Sequence, residues 1–398
     1  MRGAYKCRAY PDPEQAAILV RTFGCVRKVW NEVLEWRTRR YRADQVKTSY
    51  AESDRYLTSL KKTSELAYLN EVSSVPLQQT LRHQYRAYIA FFTGRSRYPR
   101  FKSRNGRQAA SYIRSAFRMR EGVLHLAKMS SPLPFVWSWP EIDPADIDPA
   151  TVTVSRDPDG LWFVTFQLDT AGPAPLPETG RQAGLDLAAG AFAVTSDGER
   201  FACPRGLTRR ERNLARYQRR MARCRAGSNN RAKARLKADR ARGKLRRART
   251  DFLQRTSTDL VRRYDLLVVE DLAVTGPRPN RRYAKRPPDT GWPAFRSMLV
   301  YKAAKWGRQL VTIDRFFPSS RTCSGCGHLL ARLADKTRHW TCPTCRTLHD
   351  RDVNAAKNIL AEGRSVAACG ADIRRRGTPL PRSAAKQETP PVRVRTLH

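Results

Sequence analysis

Four cysteines and three acidic residues stand out in this sequence as candidate metal ligands. Cys323 and Cys326 form one C-x-x-C pair in RTCSGCG, and Cys342 and Cys345 form a second in TCPTCR, with fifteen residues between the pairs. Each pair puts two thiolates on a tight turn, and two such turns close a tetrahedron around one Zn²⁺. Four thiolates leave no open position for water, so the expected zinc is structural and not catalytic. His328 and His339 lie nearby, but the tetrahedron is already full without them. Both read as surface or nucleic-acid contacts.

The acids are Asp186, in the apolar strand AGLDLAAGAFAV, Glu270, ending the run of DLLVVEDL, and Asp352, opening the helix DVNAAKNIL seven residues after Cys345. Cutting a phosphodiester needs an activated water and a stabilised leaving oxygen, which two divalent cations about 4 Å apart can supply. Mg²⁺ takes oxygen ligands, so carboxylates must converge from separate elements. Singly, Asp186 also reads as a turn former, Glu270 as a surface acid and Asp352 as a helix N-cap. Together, the order strand, hairpin, later strand with Glu, then helix with Asp is that of an RNase H-like sheet. It makes Asp186, Glu270 and Asp352 the candidate catalytic Mg²⁺ ligands. Asp350 is the nearest competitor of Asp352, Asp271 should face the other side of its strand, and Asp197 reads as a turn residue. The ribbon and the acids read as independent: loss of Cys342 should destabilise the ribbon without touching the catalytic metals.

The rest of the chain must position these groups. Its 398 residues carry 76 Lys and Arg against 36 Asp and Glu, a net charge of +40. Such an excess calls for a polyanion, and nucleic acid is the partner it points to. No segment approaches the roughly 18 apolar residues of a membrane span, and the N-terminus has no apolar signal region. The cysteines outside the two pairs are scattered as reduced thiols of a cytoplasmic protein.

Helices are expected in PDPEQAAILVRTFGCVRKVWNEVLEW, LTSLKKTSELAYL and PLQQTLRHQYRAYIAFF; in the last, Leu77, Leu81, Tyr85, Tyr88 and Phe92 form one stripe that reads as core. RYPRFKS is a basic, aromatic loop, and TVTVSRDPDGLWFVTFQLD is a hairpin around its RDPDG turn. AGPAPLPETG reads as a linker ending near residue 180. Residues 207–262 read as two basic helices broken at GSNN, with phosphate contact as their expected role. TGPRPNRRYAKRPPDTG reads as a basic loop, WPAFRSMLVYKAAKWGRQ as a helix with Pro293 in its first turn, and the tail from Gly363 as disordered.

At PLQQTLRHQYRAYIAFF, YPRFKSR, GLDLAAGAFAVTSDG, VVEDL, the W-x-x-F-x-x-x-L-x-YKA pattern from Trp292, FPSSRTCSGCG and HDRDVNAAKNIL, the chain resembles the TnpB family. These are RNA-guided DNA endonucleases of bacterial insertion sequences, related to the compact type V CRISPR nucleases. The resemblance covers roughly residues 1–362. It places the family's catalytic acids on Asp186, Glu270 and Asp352 and its zinc ligands on the four cysteines. GLDLAAG departs mildly, since relatives more often have Gly and then Lys after the Asp.

The resemblance implies an α/β multidomain fold. A β-barrel wedge domain would take residues 1–11 and 99–178, with a helical recognition domain, 12–98, inserted. A RuvC nuclease domain would take 179–317 and 350–362, interrupted by a zinc-ribbon target-nucleic-acid-binding domain, 318–349, with a basic tail at 363–398. It also implies a guide RNA from the transposon end, pairing with double-stranded target DNA beside a short flanking motif. One RuvC pocket would cut both strands, since no second nuclease motif is present. Monomer is the default, in the bacterial cytoplasm. Two other readings compete: a catalytically silent RNA-guided DNA-binding regulator, against which the intact triad argues, and a transposase acting in strand transfer. Integrases of the second kind carry no zinc ribbon before the last acid.

Overall fold

Asp12 starts the first long helix. Its carboxylate accepts from Gln15 N at 2.8 Å, Gln15 Oε1 accepts from Asp12 N at 3.2 Å, and Pro13 fills the first turn. This reciprocal cap fixes where the helix begins. The structure, a computed structural model, describes residues 2–170, 172–187, 191–271, 291–334 and 337–375. The expected basic loop at 276–288 and the tail beyond Arg375 lie outside the described residues.

The chain divides into two compact units, Met1–Gly172 with Thr208–Arg247, and Pro173–Leu207 with Ala248–His398. In the first, β1 (Arg2–Ala9) leads into helices α1 (Pro13–Asp44), α2 (Tyr50–Leu60) and α3 (Ser74–Phe92). Strands β2 (Gln108–Ile113), β5 (Phe135–Val136), β6 (Thr151–Arg156) and β7 (Trp162–Asp169) join β1 in an antiparallel sheet of order β2-β6-β7-β1-β5. Strands β3 (Phe117–Arg120) and β4 (Val123–Leu126) pair as a separate hairpin. Leu19, Phe23 and Val26 of α1 share one core with Tyr112, Val164 and Phe166 of the sheet.

Several expectations change here. Among the described residues no pairing joins the edge strands β2 and β5, so the first unit holds an open sheet and a separate hairpin where a closed barrel was expected. The helix expected through LTSLKKTSELAYL stops at Leu60 and resumes as a 3-10 turn over Ser64–Asn70. The α3 stripe is core only in part: Leu77, Leu81 and Tyr88 are buried, but Tyr85 and Phe92 are exposed.

The basic helices are α4 (Arg205–Ala222) and α5 (Asn229–Arg263). Residues 208–247 group with the first unit, not with the nuclease region expected to hold them. The RDPDG turn explains this. Its buried Asp157 and Asp159 accept from Arg246 Nη2 and Arg247 Nη1, each at 2.6 Å. Gly243 lets α5 come this close, since a Cβ there would fall 1.9 Å from Asp159 Oδ2.

In the second unit, β8 (Gln182–Asp186), β9 (Ala193–Thr195), β10 (Arg200–Phe201), β11 (Leu266–Glu270) and β12 (Gln309–Ile313) form a sheet of order β10-β9-β8-β11-β12. β8 and β9 are antiparallel, whereas β11 runs parallel to both β8 and β12. A parallel centre must be covered on both faces, which is why LLVV of β11 is buried throughout. Ala183, Leu185, Leu267 and Val269 meet Leu260 of α5 and Phe295 and Leu299 of α6 (Trp292–Trp306). Leu266 and Val268 face the other way, onto Ile359 of α7 (Arg351–Arg375). That helix runs well past Gly363, where disorder was expected. Gly363 permits it, because a Cβ there would lie 2.3 Å from Val268 Cγ1. Between β12 and α7 comes the cysteine module, with the short hairpin β13 (His339–Thr341) and β14 (Leu348–Asp350).

Candidate active site

Gly184 and Asp186 lie two residues apart on β8 and so point to the same face of the sheet. Helix α7 crosses that face almost in backbone contact: a Cβ on Gly184 would sit 2.1 Å from Ala356 O and 2.6 Å from Leu360 N. From Ala356, one helical turn toward the N-terminus, about 6 Å, reaches Asp352. From Gly184, two strand residues, about 6.6 Å, reach Asp186. Both acids therefore arrive at the same level. β11 supplies the third: Val269 pairs with Leu185, so Glu270 ends its strand beside Asp186. The three sequence candidates are brought together, from two adjacent parallel strand ends and the helix above them.

The electrostatics match this placement. The Asp186 carboxyl is pushed up to about 8, first by burial and then by the charges of Glu270 and Asp352. Burial also raises Glu270, while the Ser319 hydroxyl, donating to Glu270 Oε1 at 2.6 Å, pulls it back. Three converging carboxylates, one of them resisting ionisation, make a site that gains from a cation. The donor set is all oxygen, which suits Mg²⁺.

The neighbouring acids do other work. Asp350 Oδ1 accepts from the backbone N of Asp352 and Val353 at 3.1 and 3.0 Å, so it caps α7 and leaves the Asp352 side chain free of that role. Asp271 accepts from Arg296 and Asp197 from Tyr264 and Arg181. Arg200 was not singled out in the sequence; its guanidinium reaches Asp350 Oδ2 at 2.6 Å and Asp352 Oδ2 at 3.2 Å. Arg338 stands 3.4 Å from Asp352.

The four cysteine sulfurs lie within 4.8 Å of one another. Zn–S bonds of about 2.3 Å give a tetrahedral edge of about 3.8 Å. Cys323–Cys345 and Cys326–Cys342 are 3.6 and 3.7 Å apart, so the cluster fits a Zn²⁺ ion. A buried histidine that the sequence reading passed over, His349, sits with Nε2 3.0 Å from Cys323 Sγ and its ring against Trp340. Its only sequence signal was its place beside Asp350.

The cysteine module is stitched to α7. Asn354 Oδ1 accepts from Ser324 N and its Nδ2 donates to Thr322 O, at 2.8 and 2.7 Å. Asn358 Nδ2 donates to Ser319 O and Thr322 O at 2.8 and 2.6 Å.

Family models match residues 292–359, described as "Cas12f1-like, TNB domain", residues 153–281, described as "Probable transposase", and residues 1–45, described as "Helix-turn-helix domain". The last stretch holds β1 and the single long helix α1. A "Putative RNA-guided DNA endonuclease" of Streptomyces pristinaespiralis is 48% identical over 392 residues, covering 98% of this chain and 96% of the relative. The chain belongs to the TnpB family of insertion-sequence proteins. A second TnpB-family relative, "Putative RNA-guided DNA endonuclease InsQ" of Escherichia coli K12, is 29% identical, covering 95% of this chain and 96% of its own. Among solved structures, a Cas12f1–sgRNA–target DNA complex aligns with TM-score 0.55 at 14% identity, covering 88% of this chain and 83% of that one. This likeness is one of fold: the TnpB-family chain shares a Cas12-like, mixed α/β architecture. No helix among the described residues is long and apolar enough to cross a membrane.

Proposed function

We propose that this chain is an RNA-guided, Mg²⁺-dependent DNA endonuclease that cuts through one RuvC-type site made by Asp186, Glu270 and Asp352. The observation that carries this reading is their convergence under α7, with Asp186 held near neutral by burial and by the other two. Bound divalent cations would supply an activated water and charge stabilisation of the leaving oxygen. The protein's own part is to hold three carboxylates in register, with Ser319 fixing the Glu270 oxygen and Asp350 fixing the start of α7. Cys323, Cys326, Cys342 and Cys345 would hold Zn²⁺ in a closed, structural site. The net charge of +40 suits a guide RNA and its duplex with target DNA, and the relatives' names support that pairing of partners.

The experiment is expression with the DNA flanking the gene, sequencing of co-purified RNA, and incubation with a plasmid bearing the matching target. One discrete RNA with a short variable end, and cleavage needing Mg²⁺, is the expected result. Asp186→Ala should keep RNA and DNA binding and lose cleavage. A smear of unrelated RNA, or joined DNA ends instead of cut ones, would return the strand-transfer or general nucleic-acid-binding readings.

A further inference from the structure

The apolar stripe of α3 leaves the core at its C-terminal half, where Tyr85 is 40% and Phe92 63% exposed. There it opens on a cleft of about 830 Å³ bounded by the end of α1, the loop after it and the end of α3. Scattered exposed apolar residues need no explanation, but a contiguous group of this size marks a binding surface.

The rings are held in place. Tyr88 stacks on Phe92 with centroids 6.2 Å apart, and Tyr98 stands edge-on to Tyr88 at 5.6 Å and to Phe91 at 5.3 Å. The Tyr98 hydroxyl is tied to Tyr88 at 3.1 Å and to Thr38 at 2.8 Å. Arg37 lies over the Tyr88 ring at 4.1 Å and donates to Thr48 O at 2.7 Å, which anchors the loop to the helix. Arg42 lines the rim, and Lys47 Nζ stands 5.8 Å from the Phe92 ring. Among the described residues that line the cleft, none is acidic.

Flat, fixed rings beside cations, with no carboxylate among them, suit a ligand that is both planar and anionic. Nucleotides are that chemistry: bases stack on aromatic faces while phosphates meet Arg and Lys. A duplex hides its base faces, so the occupant must be unpaired. We infer that this cleft binds unpaired nucleobases of a single strand, stacked on Phe92, Tyr85 and Tyr98, with the backbone running past Arg42 and Lys47. RNA and DNA share this chemistry.

The test uses the full-length protein freed of nucleic acid at high salt. Single-stranded probes carrying 5-iodouridine (RNA) or 5-iododeoxyuridine (DNA) are bound, irradiated, and the cross-linked peptides are identified. Cross-links at Tyr85, Phe92 or Tyr98 are expected, and the probe that gives them names the source. Phe92→Ala, at an exposed position, should weaken single-strand binding about fivefold to hundredfold with an unchanged salt slope and melting temperature. Arg42→Gln with Lys47→Gln should flatten the slope. Cross-links confined to other surfaces, with Phe92→Ala binding as wild type, would overturn the inference. So would a Phe92→Ala change from dimer to monomer in sedimentation, which would assign the cleft to a second copy. These readouts are of binding alone, so failure of the proposed cleavage chemistry would leave them intact.

Discussion

Glu270 and Asn358 share one residue, Ser319. Its hydroxyl donates to Glu270 Oε1 at 2.6 Å, and its carbonyl accepts from Asn358 Nδ2 at 2.8 Å. The strand that carries one acid is thus joined to the helix that carries another. Asn358→Ala would leave the buried Ser319 carbonyl without this partner, while Thr322 O keeps Asn354 Nδ2, at a cost of about 1–3 kcal/mol. Cleavage should fall while RNA binding holds. Thermal melts and cleavage rates of the variant check this, and a wild-type rate with a lowered melting temperature would confine Asn358 to stability.

The raised carboxyl of Asp186 gives a pH dependence with a definite sign. In the unfolded chain this group ionises near about 4, and in the folded chain only near about 8. Between these values the folded state holds more protons, so stability falls as pH rises through that window. With zinc retained and Mg²⁺ left out, Asp186→Asn should melt higher than wild type at pH 8.5 and closer to it at pH 5. Added Mg²⁺ should raise the wild-type melting temperature at pH 8.5 and do little for the variant.

Gly184→Ala should push α7 off the sheet, because the new methyl meets the backbone of Ala356 and Leu360, which has nowhere to go. Overpacking of this kind costs about 1–3 kcal/mol, or about 2–4 °C of melting temperature per kcal/mol for a unit of this size. Cleavage should drop as Asp352 moves from Asp186. A melt unchanged within error would mean that the helix and strand do not pack this closely.

Cys342→Ser should lower zinc content measured by atomic absorption, and cleavage should fall with it. The stitches from Asn354 and Asn358 run to Ser319, Thr322 and Ser324, the residues on either side of Cys323. Loss of the metal loosens this segment and with it Ser319 and Glu270. Undiminished cleavage by zinc-free protein would show the two sites to be separate.

That last expectation differs from the sequence reading, which treated ribbon and acids as independent. The acids and cysteines were legible because their chemistry restricts residue type and spacing. The amides of Asn354 and Asn358 carry no such mark, since an Asn on a helix reads as surface until its partners are known. Gly184 was invisible for the same reason: its role is the absence of a side chain where another backbone passes. Arg200 meets acids 150 positions on, and His349 meets Cys323 only once the cysteine module has folded back on itself. The α3 stripe misled in the opposite direction, because periodicity shows which residues share a face but not whether that face is covered. Likewise the RDPDG turn gave the hairpin, while its acids' partners lay on a helix some ninety positions on.

Helix α7 roofs a strand made much earlier in the chain. During synthesis β8 emerges first, then the basic helices, then β11 and β12, and the helix bearing Asp352 last among the described elements. The basic helices and the cleft beside α3 are therefore complete while the third acid is still unmade. A chain that works as proposed above would gather its nucleic acid before it is able to cut, with the ribosome setting the order.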